Sequence, residues 1–223
     1  MRTEFLSPLN KIIIFSIFKI FNKDFNWIIG NKDELPLFDK TALMKFFNNS
    51  FDKELGWVRK PSTSGLEKAK NKIIKFNIDN FGSRKTNLDP SKAKVISIGD
   101  SYTFCRQVED HETWQNSLSN LIESSVLNYG VGNYGIDQAI IRLDKVFIPK
   151  ECEFVILGFV PETISRIQSY WKHYLEFGNT FAFKPRFEIK DNSLKLVPQY
   201  IDHFSKYDSL EDNIKHIRSK DRF

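Results

Sequence analysis

The chain has 223 residues, of which 41% are hydrophobic and 27% are charged, and its formal net charge is +5. This composition is typical of a globular protein with one or two domains. The positive charge is scattered, with no run of five like charges and no nucleic-acid-binding motif, so we expect no nucleic-acid partner. Cys105 and Cys152 lack the spacing of a zinc or redox site and give no sign of a disulfide framework, which is compatible with a reducing compartment.

The first predicted element is a helix over residues 11–29, which are rich in Ile and Phe. No apolar run there is longer than four residues. Polar residues recur every three or four positions: Ser16, Lys19, Lys23 and Asn26. A spanning helix needs about 20 mostly apolar residues, and a signal peptide needs a small-residue cleavage site, so we predict neither. Two alternatives stay open: a helix packed against the domain, or an interfacial helix that makes peripheral membrane contact. We therefore expect a cytoplasmic protein, membrane-associated in the second case.

Two segments precede the core. Residues 31–50 predict a polar loop followed by a helix, so that residues 1–50 form an N-terminal helical extension and residues 51–223 form the main domain. Residues 52–87 predict an irregular lead-in, in which the alternation at 75–78 is typical of a strand.

From residue 95 onward, strand and helix patterns alternate. We predict strands at 95–98, 126–129 and 153–158, and helices at 112–124, 136–146 and about 161–177. This spacing predicts an α/β fold with a parallel sheet and right-handed crossovers. Residues 180–200 predict a hairpin with a turn at 191–193 and a solvated edge at 184–187, and residues 201–223 predict a polar helix.

The most informative motif is Gly99-Asp100-Ser101, at the end of the first core strand. Gly99 lets the backbone turn sharply, and Ser101 follows at the carboxyl end of the strand, where open α/β sheets bind their ligands. A serine there can be a nucleophile whose oxyanion meets backbone N–H groups at a helix start. The tripeptide alone is also compatible with a simple turn in which Asp100 caps the next helix.

Three stretches extend this motif: GDSYTF at 99–104, D-x-E-T-W at 110–114 and NYGVGNYGIDQ at 128–138. Over about residues 50–200 the chain resembles the SGNH/GDSL hydrolase family, in the bacterial branch with a GDSYTFG-type first block. The resemblance implies a flavodoxin-like three-layer α/β/α sandwich. It also implies a serine esterase, acyl hydrolase or O-acyltransferase without metal or other cofactor, acting on a small acyl ester of a carbohydrate or lipid.

The same resemblance assigns the site residues. Ser101 is the nucleophile, and its backbone N–H forms an oxyanion hole with that of Asn133, in the loop that also holds Gly132. The family's third donor is an Asn side chain, and Thr163 lies nearest that position, where its hydroxyl can donate weakly. The alternative is that the glycine loop only makes a tight strand-to-helix turn.

The general base is where the chain departs from the family. The family carries Asp-x-x-His near its carboxyl terminus, and none of the four histidines here follows an Asp at that spacing. The candidates are His216, four residues after Asp212, and His203, next to Asp202. Three alternatives stay open: an active esterase, a fragment that stops before the Asp-x-x-His segment, and a catalytically inactive relative that kept its cleft for binding.

Overall fold

The computed structural model describes residues 8–20, 35–147, 152–175 and 179–221. In chain order its helices are α1 (Pro8–Ile20), α2 (Lys40–Asn49), α3 (Ser101–Phe104), α4 (Trp114–Ile122), α5 (Ile136–Val146), α6 (Glu162–Ser165) and α7 (Leu210–Lys220). Its strands are β1 (Phe51–Asp52), β2 (Gly56–Trp57), β3 (Ser64–Lys68), β4 (Ile73–Asn77), β5 (Val95–Gly99), β6 (Val126–Asn128), β7 (Phe154–Gly158), β8 (Arg186–Lys190) and β9 (Ser193–Val197).

A parallel sheet in the order β6-β5-β7 forms the centre of the fold. Every residue of β5 is buried, as expected for a β-branched run with neighbours on both edges. The chain passes from β5 through α4 to β6 on one side, and then through α5 to β7 on the other side of β5. The predicted α/β class and parallel sheet are therefore confirmed.

Three antiparallel hairpins accompany this sheet: β1-β2, β3-β4 and β8-β9. The strand predicted at 75–78 lies within the second hairpin, and the predicted hairpin at 180–200 is the third. Its two turn residues, Asp191 and Asn192, both have positive φ (53° and 55°), as a type I′ turn requires.

The helix predicted over 161–177 is wrong. Helix α6 ends at Ser165, a 3-10 turn follows at Arg166–Gln168, and a short extended stretch around Tyr170 separates it from a second 3-10 turn at Lys172–Tyr174. The backbone N–H groups of Tyr170 and Trp171 donate to the carboxylate of Asp221, each at 3.0 Å. Since this contact comes from the far end of the chain, it overrides the local helical pattern.

The solvated edge predicted at 184–187 is also wrong, because Lys184 is 0% and Arg186 3% exposed. Lys184 Nζ lies 2.5 Å from the carboxylate of Asp137, at the start of α5, and donates to the carbonyl of Pro185 at 2.9 Å. The buried ammonium thus joins the third hairpin to the helix that follows the glycine loop.

A cluster of buried aromatic and aliphatic residues holds the carboxyl-terminal third together: Leu43, Tyr170, Trp171, Phe183, Ile201, Tyr207, Leu210 and Ile217. Leu43 belongs to α2, so the helix assigned to the N-terminal extension packs in the same core as α7.

The amino-terminal helix α1 begins earlier than predicted, at Pro8, and residues 21–29 of the predicted helix lie outside the described residues. Its described apolar side chains are exposed to between 44% and 78%: Leu9, Ile12, Ile13, Ile17 and Ile20. Within the described ranges, no helix combines the length and apolarity needed to cross a membrane.

Candidate functional site

Ser101 is the first residue of α3 and follows β5 after a single intervening residue. Asp100 caps this helix, because its Oδ1 accepts the backbone N–H of Tyr102 at 2.9 Å, as the capped-turn interpretation predicts. Gly99 has φ 151°, and a Cβ there would overlap the Gly158 carbonyl oxygen and Thr103 Oγ1. A glycine is therefore required where the strand turns toward the serine.

The glycine loop, defined as residues 130–133, packs backbone to backbone against the serine turn. The N–H of Val131 donates to the carbonyl of Gly99 at 3.0 Å. A Cβ on Gly130 would overlap the backbone of Thr103 and Phe104. Because this contact leaves no room for a side chain, the loop lies directly beside the turn that starts with Ser101.

Asn133 adopts the left-handed conformation, with φ 70°, which Asn tolerates better than most residues. Its Nδ2 donates to Asn179 Oδ1 at 3.1 Å. Gly132, the preceding residue, has open space where a Cβ would stand. The structure therefore brings the loop of Gly132 and Asn133 to the same sheet edge as Ser101.

Thr163, expected to be a weak third donor, stabilises its own turn instead. The side chain is 1% exposed, and its hydroxyl donates to the carbonyl of Val160 at 2.7 Å. A hydroxyl has one proton to donate, so this hydrogen bond leaves none for an oxyanion.

The two candidate bases occupy other places. His203 is exposed, and its Nδ1 accepts the N–H of Ser205 at 3.2 Å, which caps a short 3-10 turn. His216 is exposed on α7. Among the described residues, no side chain is hydrogen-bonded to Ser101 Oγ, so neither histidine is in place as its base.

Arg166 connects the serine turn with the residues after the glycine loop. Its Nη1 donates to the carbonyl of Tyr134 at 3.1 Å and lies 3.9 Å from Asp100 Oδ2. The second distance is too long for a hydrogen bond, so the contact between Asp100 and Arg166 is electrostatic.

Arg84, which has no role in the sequence interpretation, anchors the segment after α3. It is 2% exposed and donates to Asp110 Oδ1 and to the carbonyls of Phe104, Cys105 and Val108, at 2.6–2.7 Å. Gln115 adds a second support, since its Nε2 donates to the carbonyl of Thr103 at 2.7 Å. Both side chains fix the end of α3 through its backbone carbonyls.

A pocket of about 340 Å³ opens beside the glycine loop. Its lining is aromatic, amide-bearing and charged: Phe46, Ser50, Trp57, Val58, Arg59, Glu67, Arg106, Val131, Gly132, Asn133, Asn179, Thr180, Phe181 and Ala182. The Trp57 indole N–H donates to the carbonyl of Gly132 at 3.0 Å, which fixes both the ring and the loop. Sequence reasoning missed Arg59, Glu67 and Arg106, since only the β3-β4 hairpin brings them together.

Within the described part of the chain, no group of three or more His, Cys, Asp or Glu residues could hold a metal ion. No protein-family model and no curated protein matches the sequence.

Proposed function

We propose that the protein is a serine acyl-ester hydrolase or acyltransferase of the SGNH/GDSL type, with Ser101 as its nucleophile. One observation carries the proposal: Ser101 starts the helix after the central strand and lies beside a glycine loop whose Asn133 is left-handed. A turn that only connected strand and helix would not need this close backbone contact between two successive βα connections.

The sheet order supports the proposal. With strands numbered from β5, the order β6-β5-β7 is 2-1-3, as in the first three strands of the flavodoxin-like arrangement. In such sheets, ligands bind outside the carboxyl ends of the strands where the connections reverse direction. Ser101 follows the carboxyl end of β5, next to that reversal.

In the proposed reaction, Ser101 Oγ attacks the acyl carbonyl of a carbohydrate or lipid ester, and its proton passes to a base. The backbone N–H groups of Ser101 and Asn133 stabilise the oxyanion. The tetrahedral intermediate expels the alcohol, which takes up the proton, and leaves an acyl ester on Ser101. Water then releases the acid in a hydrolase, or a second alcohol takes the acyl group in a transferase.

A binding protein is the second candidate, because no described histidine contacts Ser101. It would keep the cleft and the pocket without activating the serine. Labelling of Ser101 by a serine-reactive probe distinguishes the two functions.

The test is labelling of the full chain by a fluorophosphonate probe, beside Ser101→Ala and the exposed control Ser91→Ala. An esterase is expected to label in the wild type and in Ser91→Ala and to lose labelling in Ser101→Ala. His216→Ala and His203→Ala then show whether either histidine acts as the base. Absence of labelling in the wild type overturns the esterase proposal in favour of the binding protein.

Peripheral membrane contact through α1 is part of the proposed function, since this helix exposes five apolar side chains together with Lys19. The full chain is expected to sediment with vesicles that contain phosphatidylglycerol. Ile13→Glu/Ile17→Glu should abolish sedimentation, whereas Leu121→Glu, at a residue of α4 that is 81% exposed, should not. Equal sedimentation of the three proteins would contradict this contact.

A further inference from the structure

The pocket beside the glycine loop carries a net positive charge. Arg59 Nη2 lies 2.5 Å from Glu67 Oε1, Arg106 Nε donates to Glu67 Oε2 at 3.1 Å, and Arg106 Nη2 lies 3.0 Å from the same oxygen. Two guanidinium groups thus share one carboxylate. Glu67 is the only acidic residue in the described lining, so one positive charge is left without a partner there.

Both arginines keep donors for a ligand. A guanidinium has five N–H donors, and among the described residues Arg59 and Arg106 each use one of theirs in a hydrogen bond to Glu67. The Arg59 group is held over the rings of Phe76 and Phe104, at 4.6 and 5.0 Å. Burial lowers the pKa of Arg59, Glu67 raises it and Arg106 lowers it further. An additional negative charge would therefore be stabilised at this position.

The size and the walls of the pocket restrict what can enter. A volume of about 340 Å³ is at the small end for ligand sites, which span roughly 300–1,000 Å³. Phe46, Trp57 and Phe181 supply apolar ring faces to the lining. Asn133 and Asn179 supply polar amide groups to it. Aromatic faces, amides and arginines in one small pocket suit a ring that has hydroxyl groups and one anionic group.

The pocket adjoins the serine turn. The N–H of Arg106 donates to the carbonyl of Ser101 at 3.3 Å, and Gly132 and Asn133 line the pocket. A ligand held there thus contacts the glycine loop and Arg106, whose backbone is hydrogen-bonded to that of Ser101.

We propose that this pocket binds a carboxylate-bearing sugar ring, with the carboxylate on Arg59 and Arg106 and the ring against the aromatic wall. The arginine fork matches a carboxylate, and the single unpaired positive charge matches a monoanion, whereas Glu67 would repel a dianion. That this sugar is the alcohol part of an ester rests on the proposed function of Ser101. Binding of the sugar itself does not need an active serine.

The experiment compares p-nitrophenyl β-D-glucuronide with p-nitrophenyl β-D-glucoside, two probes that differ in one carboxylate, by isothermal titration calorimetry. We expect the glucuronide to bind about tenfold more tightly, because charge-assisted hydrogen bonds are stronger than neutral ones. Arg106→Gln should abolish the preference. Lys68→Gln is the matched control, since it also removes one positive charge. Lys68 follows Glu67 in β3, so its side chain points to the other face of the strand.

Three results would overturn the proposal: no binding of either probe, equal binding of both, or a preference that survives in Arg106→Gln. Arg106→Gln is the main variant because the Arg106 side chain is 47% exposed and its replacement should disturb the fold little. Arg59→Gln is the second variant, at a side chain that is 29% exposed. Ser101→Ala should keep the preference. A preference without fluorophosphonate labelling would leave the pocket proposal standing while the esterase proposal fails.

Discussion

The Nε of Arg84 donates to the carboxylate of Asp110 at 2.7 Å, and this ion pair joins residues 26 positions apart. The other N–H groups of Arg84 donate to three carbonyls in the segment that follows α3. A single buried guanidinium thereby satisfies the backbone of the loop that leaves the serine turn.

Arg84→Met is expected to lower the free energy of unfolding by about 3–5 kcal/mol, because it removes the cation paired with the partly buried Asp110 carboxylate and the side-chain donor to three carbonyls. Urea unfolding followed by circular dichroism measures the change. The control is Lys85→Met, at an exposed neighbouring residue, which should stay within about 0.5 kcal/mol of the wild type. Similar stabilities of the two variants would show that the loop does not depend on Arg84.

Gly130→Ala and Gly132→Ala test the contact between the glycine loop and α3. A Cβ at Gly130 meets the backbone of Phe104, whereas a Cβ at Gly132 meets open space. We expect Gly130→Ala to lose about 1–3 kcal/mol of stability from overpacking and Gly132→Ala to change by less than about 1 kcal/mol. Thermal unfolding of both variants decides this, and the opposite order would refute the observed packing.

Asn133→Gly and Asn133→Val test the left-handed backbone at φ 70°. Both variants lose the side-chain hydrogen bond to Asn179, so their difference reports the backbone alone. The valine variant should be less stable than the glycine variant by about 1–2 kcal/mol, because a Cβ is unfavourable in that region. Denaturant unfolding of the pair is the measurement, and equal midpoints would rule out the left-handed conformation.

Buried tyrosines should make the protein unstable at alkaline pH. Burial raises the pKa of Tyr129 to about 12 and also raises the pKa of Tyr134, Tyr170 and Tyr207 above the ordinary value of 10.0. Above pH 10 the unfolded chain releases these protons and the folded chain keeps them, so the free energy of unfolding falls as pH rises. Each such tyrosine contributes a slope of about 1.4 kcal/mol per pH unit between its two pKa values.

Urea unfolding at several pH values from 9 to 12 measures this slope. Tyr207→Phe removes one of the buried phenols and should make the decrease shallower between pH 10.0 and about 12. Tyr102→Phe, at a residue that is 71% exposed, should leave the slope unchanged. A stability that is constant above pH 10 would contradict burial of the phenols.

Much of the fold could be predicted from the sequence because its signals are local. Strand β5 is a β-branched run that ends in glycine, and helix α5 has the predicted bounds 136–146. The turn at Asp191 and Asn192 needs two residues that tolerate positive φ, and these residue types do. Where one segment contains both the pattern and the residues that satisfy it, the structure agrees with the prediction.

The errors lie where distant residues compete with the local pattern. The segment at 161–177 has a helical composition, yet the carboxylate of Asp221 accepts the N–H groups of Tyr170 and Trp171, where the helix is interrupted. Lysines are usually solvated, and the sequence around Lys184 gives no reason to expect otherwise. In the folded chain its ammonium group is instead buried against the carboxylate of Asp137. Neither partner can be identified from the neighbouring sequence.

The sequence by itself determined the α/β class and the position of Ser101 at the end of a buried strand. These features follow from backbone sterics and hydrophobic pattern, which act over a few residues. Only the tertiary structure decided that Arg84 anchors the serine turn, that Thr163 donates to its own turn, and that Arg59 and Arg106 meet at Glu67. Such contacts join residues tens of positions apart, and their energy exists only after the hairpins and the sheet have packed together.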